Sequence, residues 1–184
     1  MANPMTEEPS SARLAIVLSG VLIATALSGR AAAHEVGLSR GTYAIDGDHV
    51  TAELVLSRRE LGGAVPELDA DHDGHVTVDE LATARPALQK AVVDRIHVRS
   101  SDAPCPGALL DAHLSEDDGL VLRANYTCPA PIARAELDFP LVDDLMHGHR
   151  HIARSTGGVQ VVERVISRTQ RTLELTGPSG GAAT

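Results

Sequence analysis

At 184 residues, with 25 acidic against 16 basic side chains and a formal net charge of −9, the chain is long enough for one domain carrying an inserted module and short for two. The acidic balance, with Lys90 as the only lysine, argues against a nucleic-acid partner, because phosphate binding wants a basic face. The aromatic residues are Tyr43, Tyr126 and Phe139, so the core must be filled mainly by Val, Leu, Ile and Ala.

The chain opens with a pattern that belongs to export. Arg13 precedes the apolar run LAIVLSGVLIATAL (14–27), which leads through SGRAAA into HEVG. A positive start, a short hydrophobic stretch and a small-residue cleavage site in that order predict a secretory signal peptide over 1–33, cut after Ala33. The run is shorter than the roughly 20 residues a membrane span needs. His34 becomes the first residue of the mature protein, and the protein is expected to be periplasmic or secreted.

Residues 41–57, GTYAIDGDHVTAELVLS, read as two β-runs joined at DGD, since Asp-Gly between alternating apolar positions is a strong hairpin signal. The character then changes over 58–94. At its centre stands DADHDGHVTVDE (69–80), dense in carboxylates around one glycine.

A twelve-residue EF-hand loop supplies oxygen ligands from positions 1, 3, 5, 7, 9 and 12, with glycine at 6 for the sharp turn. Asp69, Asp71 and Asp73 occupy the first three ligand positions and Gly74 the turn. His75 offers its backbone carbonyl, Thr77 can hold a water, Glu80 can chelate with both oxygens, and Val76 fills the apolar eighth position. A solvated acidic turn needs none of these coincidences, so the segment predicts a Ca2+ site whose ion offsets the repulsion among the carboxylates.

The flanks fit a helix on either side of the loop. Leu61, Ala64, Val65 and Leu68 are spaced to bury one face of an entering helix, which Gly62, Gly63 and Pro66 should keep short or irregular. VDELATARPALQKAVVD (78–94) is rich in helix formers, with Leu81, Leu88 and Val92 along one side, and Pro86 is expected to kink or restart it. A single hand has no second hand to lean on and must rest on the remainder of the domain or on another molecule.

β-patterning returns at 95–101, 108–114, 119–128, 133–141, 151–155, 159–167 and 171–175, separated by turn signals at 116–119, 129–131 and 155–158. Short strands with this punctuation predict a mainly β fold, an antiparallel β-sandwich over 34–176 with a helix-loop-helix inserted at about 58–94. The tail, 177–184, is small and polar and is expected to be disordered. Cys105 and Cys128 are the only cysteines, and in an oxidising compartment they should close a structural disulfide.

MHGHRH (146–151) places His147, His149 and His151 at alternate positions, which on a strand would share one face. That geometry suits nickel, copper or zinc and opens a second reading, a transition-metal carrier or accessory protein using this cluster with or without His34. His49, His97 and His113 stand singly in β-runs as ordinary surface or half-buried residues. The chain contains no GxSxG elbow, phosphate-cradling loop or HExxH, so it reads as non-enzymatic, with no small-molecule substrate identified.

AAAHEVGLSRGTYAIDGDHVTAELVLSRREL (31–61), ELDADHDGHVTVDELATARPALQKAVVDRIHVRSSDAPC (67–105) and HGHRHIARS (147–155) together resemble the extracytoplasmic domain of the HupE/UreJ-like hydrogenase/urease accessory family, in members that carry a calcium-loop insertion. Members commonly continue into several membrane-spanning helices, and no such apolar run follows here. Metal permeation is therefore not expected of this polypeptide alone. The resemblance implies a calcium-loaded β-domain outside the cytoplasm, with a neighbouring membrane protein as a candidate partner. The leading expectation is an exported EF-hand calcium-binding protein with a structural or partner-binding role.

Overall fold

The structure, a computed structural model, describes residues 37–115, 118–158 and 160–178. The leader with its cleavage site and His34, the Glu116–Asp117 pair of the 116–119 turn, Val159 and the tail beyond Pro178 lie outside the described residues. Ten strands and two α-helices follow in the order β1 (Leu38–Asp46), β2 (His49–Ser57), α1 (Arg58–Ala64), α2 (Val78–Ala91), β3 (His97–Ser100), β4 (Ala103–Cys105), β5 (Gly107–Leu114), β6 (Gly119–Thr127), β7 (Arg134–Asp138), β8 (Arg150–Ser155), β9 (Val162–Ile166) and β10 (Thr172–Thr176). Three 3-10 turns, Pro66–Asp69, Val93–Arg95 and Pro140–Asp143, complete the described elements.

The fold is mainly β, with two sheets and a helical insert. One sheet runs β5-β6-β2-β1-β8-β9 and the other β10-β7-β3-β4. The hairpin β1–β2 closes with Asp46 opposite His49, and Gly47 takes a φ of 63° at the first central position, where an L side chain is disfavoured. Inward positions alternate along each central strand: Tyr43 and Ile45 on β1, Val50, Ala52, Leu54 and Leu56 on β2, Leu120, Leu122, Ala124 and Tyr126 on β6. Leu137, Leu173 and Leu175 enter from the second sheet, and all three aromatic side chains are fully buried.

The purely antiparallel expectation needs one correction, because β1 pairs with β8 in parallel, from Leu38 opposite Arg150 to Tyr43 opposite Ser155. The chain leaves the first sheet for the second between these strands and returns in the same direction, as a parallel neighbour requires. The strand expected over 133–141 stops at Asp138, since Pro140 starts a 3-10 turn and has no N–H to give a ladder. The three-residue β4 was not foreseen, and it carries Pro104 on a sheet edge, where proline is tolerated.

The insert sits between β2 and β3. Ser57 accepts the Glu60 N–H and caps α1, which lasts only seven residues before the Pro66–Asp69 turn, the short entering helix that its glycines and proline predict. Leu61, Val65 and Leu68 are fully buried or nearly so. α2 passes through Pro86 without restarting and buries Leu81, Ala84 and Leu88. Its Gln89 accepts the Leu109 N–H at 2.6 Å and donates to the Gly107 carbonyl at 3.0 Å, while Arg85 donates to the Leu110 carbonyl. These bonds cover the outer edge of β5 beside its bulge at Leu109 and Asp111, an edge that would otherwise be free to pair with another chain.

Cys105 and Cys128 form a disulfide that joins β4 of the second sheet to the residue after β6 of the first. It closes a loop of 23 residues' separation, worth about 3 kcal/mol in the chain-entropy account. Among the described residues, no helix is long and apolar enough to cross a membrane.

Candidate metal centre and a buried histidine relay

The acidic loop is organised before any ion is considered. Asp69 lies at the end of the 3-10 turn that follows α1, and its carboxylate accepts the Gly74 N–H. Asp71 accepts the Asp73 N–H at 3.2 Å, and Asp73 accepts the His75 N–H at 2.7 Å. Each aspartate thus bonds the backbone further along, the local habit of Asx turns. Gly74 takes φ 82° and His72 φ 60°, the two left-handed positions that fold the loop back on itself.

Asp69, Asp71 and Asp73 each present a carboxylate oxygen such that all three lie within 4.8 Å of one another. Three carboxylates this close, with Asp71 and Asp73 exposed, form a hard oxygen donor set that suits a divalent cation of the Ca2+ class. Thr77 and Glu80 form a capping box at the start of α2. Glu80 accepts the Thr77 N–H and hydroxyl on one oxygen and the Ala70 N–H at 2.9 Å on the other. The Thr77 N–H, followed by its hydroxyl, holds the Glu80 carboxyl below the usual carboxylate range. Glu80 therefore reaches across to the first turn of the loop without joining the aspartate cluster. His75 and Val76 face a hollow of about 580 Å³ between α1 and the loop, with Val76 packed against the core.

The 147–151 histidines are divided. His147 is exposed, and Gly148, with φ 89°, breaks the alternation between it and His149. His149 and His151 are 1% and 0% exposed, and both nitrogens of both rings have partners. His49 is half-buried beside Asp48, and His97 and His113 are exposed beside Asp138 and Asp111.

The two buried rings belong to a continuous chain of five side chains. Glu60 Oε1 lies 2.7 Å from His149 Nδ1, His149 Nε2 lies 2.7 Å from Ser39 Oγ, Ser39 Oγ lies 2.7 Å from His151 Nδ1, and His151 Nε2 lies 2.9 Å from Tyr43 Oη. Glu60 Oε1 also accepts the Met146 N–H. Phe139 stacks on the His151 ring, with centroids 4.1 Å apart and planes 19° from parallel. Gly37 and Gly41 make room for it: a Cβ on Gly37 would meet Glu60 Oε1 and His149 Nδ1 at 2.6 Å, and one on Gly41 would meet Tyr43 Oη at 2.7 Å.

With Glu60 ionised and both rings neutral, the protons have one consistent order. Tyr43 donates to His151 Nε2, His151 Nδ1–H to Ser39, Ser39 to His149 Nε2, and His149 Nδ1–H to Glu60. Burial pushes the His151 pKa down to about 3, with the neighbouring His149 adding to the effect. Burial also lowers that of His149, outweighing the opposing Glu60 carboxylate, and Arg150 lowers it further. Burial raises that of Tyr43 well above the ordinary phenol range, with Tyr126 contributing, so the hydroxyl keeps its proton.

Ser39, His149 and Glu60 share the connectivity of a nucleophile, base and orienting acid. However, the Ser39 side chain is 3% exposed on the inward face of β1, and its oxygen is held between two imidazoles, so nothing can approach it in this arrangement. Reading the sequence missed Ser39, Glu60 and the roles of Tyr43 and Phe139, and only the alternate histidines pointed toward this place. A scan against protein-family models and a search of characterised proteins returned no match for the chain.

Proposed function

We propose that the chain is an exported calcium-binding β-domain in which the 69–80 loop holds one Ca2+ and serves a structural or partner-binding role. The observation that carries this reading is the convergence of Asp69, Asp71 and Asp73 within 4.8 Å on a loop already turned by Gly74. Asp69, Asp71 and Asp73 would supply carboxylate oxygens, His75 its carbonyl and Thr77 a water, while Glu80 would add both its oxygens by giving up its bonds to Ala70 and Thr77. The helices on either side are anchored in the core through Leu61, Leu68, Leu81 and Leu88, so an ion here would clamp the insert onto the sheets.

Export is supported by the leader pattern of 1–33 and by the Cys105–Cys128 disulfide, a bond suited to an oxidising compartment. The resemblance of 31–61, 67–105 and 147–155 to the extracytoplasmic domain of the HupE/UreJ-like family supports a neighbouring membrane protein as the partner, which co-purification from membranes would test.

Calorimetric titration of the purified protein with CaCl2 tests the calcium reading. Extracellular modules of this kind bind with dissociation constants of order 10⁻⁴ to 10⁻³ M. Calcium heat that disappears in Glu80→Gln and in Asp71→Asn supports the assignment. No uptake at millimolar calcium refutes it.

A further inference from the structure

We propose that the chain Glu60–His149–Ser39–His151–Tyr43 is an acid-operated latch, which ties the helical insert to β1 and β8 at neutral pH and lets go when its imidazoles take up protons. Glu60 belongs to α1, Ser39 and Tyr43 to β1, His151 to the start of β8 and His149 to the residue just before it, so each link in the relay crosses between separate parts of the fold. The Glu60 carboxylate also holds the Met146 N–H, and the Arg150 N–H donates to the Gly37 carbonyl beside it. The same few atoms therefore fasten α1, the approach to β8 and the entry to β1.

The relay has room for one set of protons. A proton added to His151 makes both its nitrogens donors, so the Tyr43 hydroxyl must turn from donor to acceptor. Among the described residues its own hydrogen then has no acceptor, in a side chain that is 0% exposed. A proton added to His149 makes Nε2 a donor, and Ser39 must reverse toward His151 Nδ1, with the same result at Tyr43. Among the described residues, no carboxylate faces His151 to offset a charge.

Among the described residues, the charged and titratable groups around the rings are Glu60 from α1, Arg150 at the start of β8, Tyr43 from β1 and the two histidines themselves, with Tyr126 from β6 acting on Tyr43. Phe139 offers a ring face, and Gly37 and Gly41 offer bare backbone. Among the described residues, only Glu60 favours a positive charge here. Because the His151 pKa in the folded protein lies at about 3 and that of free imidazole near 6.5, the closed latch has its full strength above about pH 6.5 and loses it as pH falls toward 3.

The latch is independent of whether the 69–80 loop binds calcium, and the experiment is run with a chelator and again with excess calcium. Amide hydrogen exchange is followed on the intact protein from pH 7.5 to 4.5, with intrinsic rates divided out. The opening constant read at Met146 and Arg150 should rise by at least about tenfold per pH unit below 6.5, the share of His151 alone, to roughly 100-fold or more at pH 4.5, while amides of β2 and β6 stay protected. The double variant His149→Gln/His151→Gln, which takes no protons, should show no such slope. An equal slope in that variant, or loss of protection in β2 and β6 in parallel, overturns the latch. If the variant does not fold, the wild-type imidazole resonances decide: rings still neutral at pH 6 support it, and rings titrating as free histidine with Met146 and Arg150 unaffected refute it.

Discussion

Replacing Ser39 by alanine removes a single oxygen, yet two buried groups depend on it. The His149 Nε2 lone pair loses its donor and the His151 Nδ1–H its acceptor, each now 2.7 Å from an atom that has gone. An unsatisfied buried polar group costs about 1–3 kcal/mol, so Ser39→Ala should lose about 2–6 kcal/mol, with the low end applying if a water enters the vacated space. For a domain of this size that lowers the melting temperature by roughly 3 °C per kcal/mol. Without the relay the same change would be neutral or slightly stabilising, because it withdraws a hydroxyl from an inward strand position. Urea denaturation at pH 7.5 reads the difference, monitored by far-UV circular dichroism because the chain contains no tryptophan. A loss below 1 kcal/mol would show that Ser39 does not bridge the two rings.

Glycine substitutions should separate the relay from the rest of the insert. Gly41→Ala should destabilise by more than about 2 kcal/mol, since its Cβ would fall 2.8 Å from His151 Nε2 and 2.7 Å from Tyr43 Oη. Gly62→Ala and Gly63→Ala meet open space inside α1 and should each stabilise by roughly 0.5–1 kcal/mol in the same denaturation assay. Replacing both Cys105 and Cys128 by alanine should cost about 3 kcal/mol, and the wild-type protein should react with a thiol reagent only after reduction. Calcium at about 100 times its dissociation constant should add about 2.7 kcal/mol of stability over the chelated protein, an increment that Asp69→Asn should remove from a thermal melt.

Local features were legible in the sequence because their causes are local. The Asp46-Gly47-Asp48 turn announces its hairpin through glycine's freedom at positive φ, and the acidic loop announces itself through the regular spacing of its aspartates around Gly74. The helix flanks could be read from Leu61, Leu68, Leu81 and Leu88, which recur at helical intervals and are all buried. The relay was hidden because its members lie far apart along the chain: Glu60 and His149 are 89 positions apart, Ser39 and His151 112. Alternation in MHGHRH suggested three histidines on one face, but a left-handed Gly148 turns the chain and leaves His147 outside. The direction of β8 beside β1 was equally hidden, since strand patterning tells which side chains point inward and says nothing of which neighbour a strand will choose.

The parallel seam between β1 and β8 sets a timetable for folding. Residues 38–43 find their partners only when residues 150–155 have been made, so a growing chain can close the β1–β2 hairpin early but must hold the other edge of β1 open until nearly the whole domain exists. Ring closure over such a span is slow to achieve by random search. Synthesis runs from the amino end, so β1 and β2 are made first and have no complete sheet to collapse into until β8 arrives, bringing His151 and, just ahead of it, His149 to complete the interior.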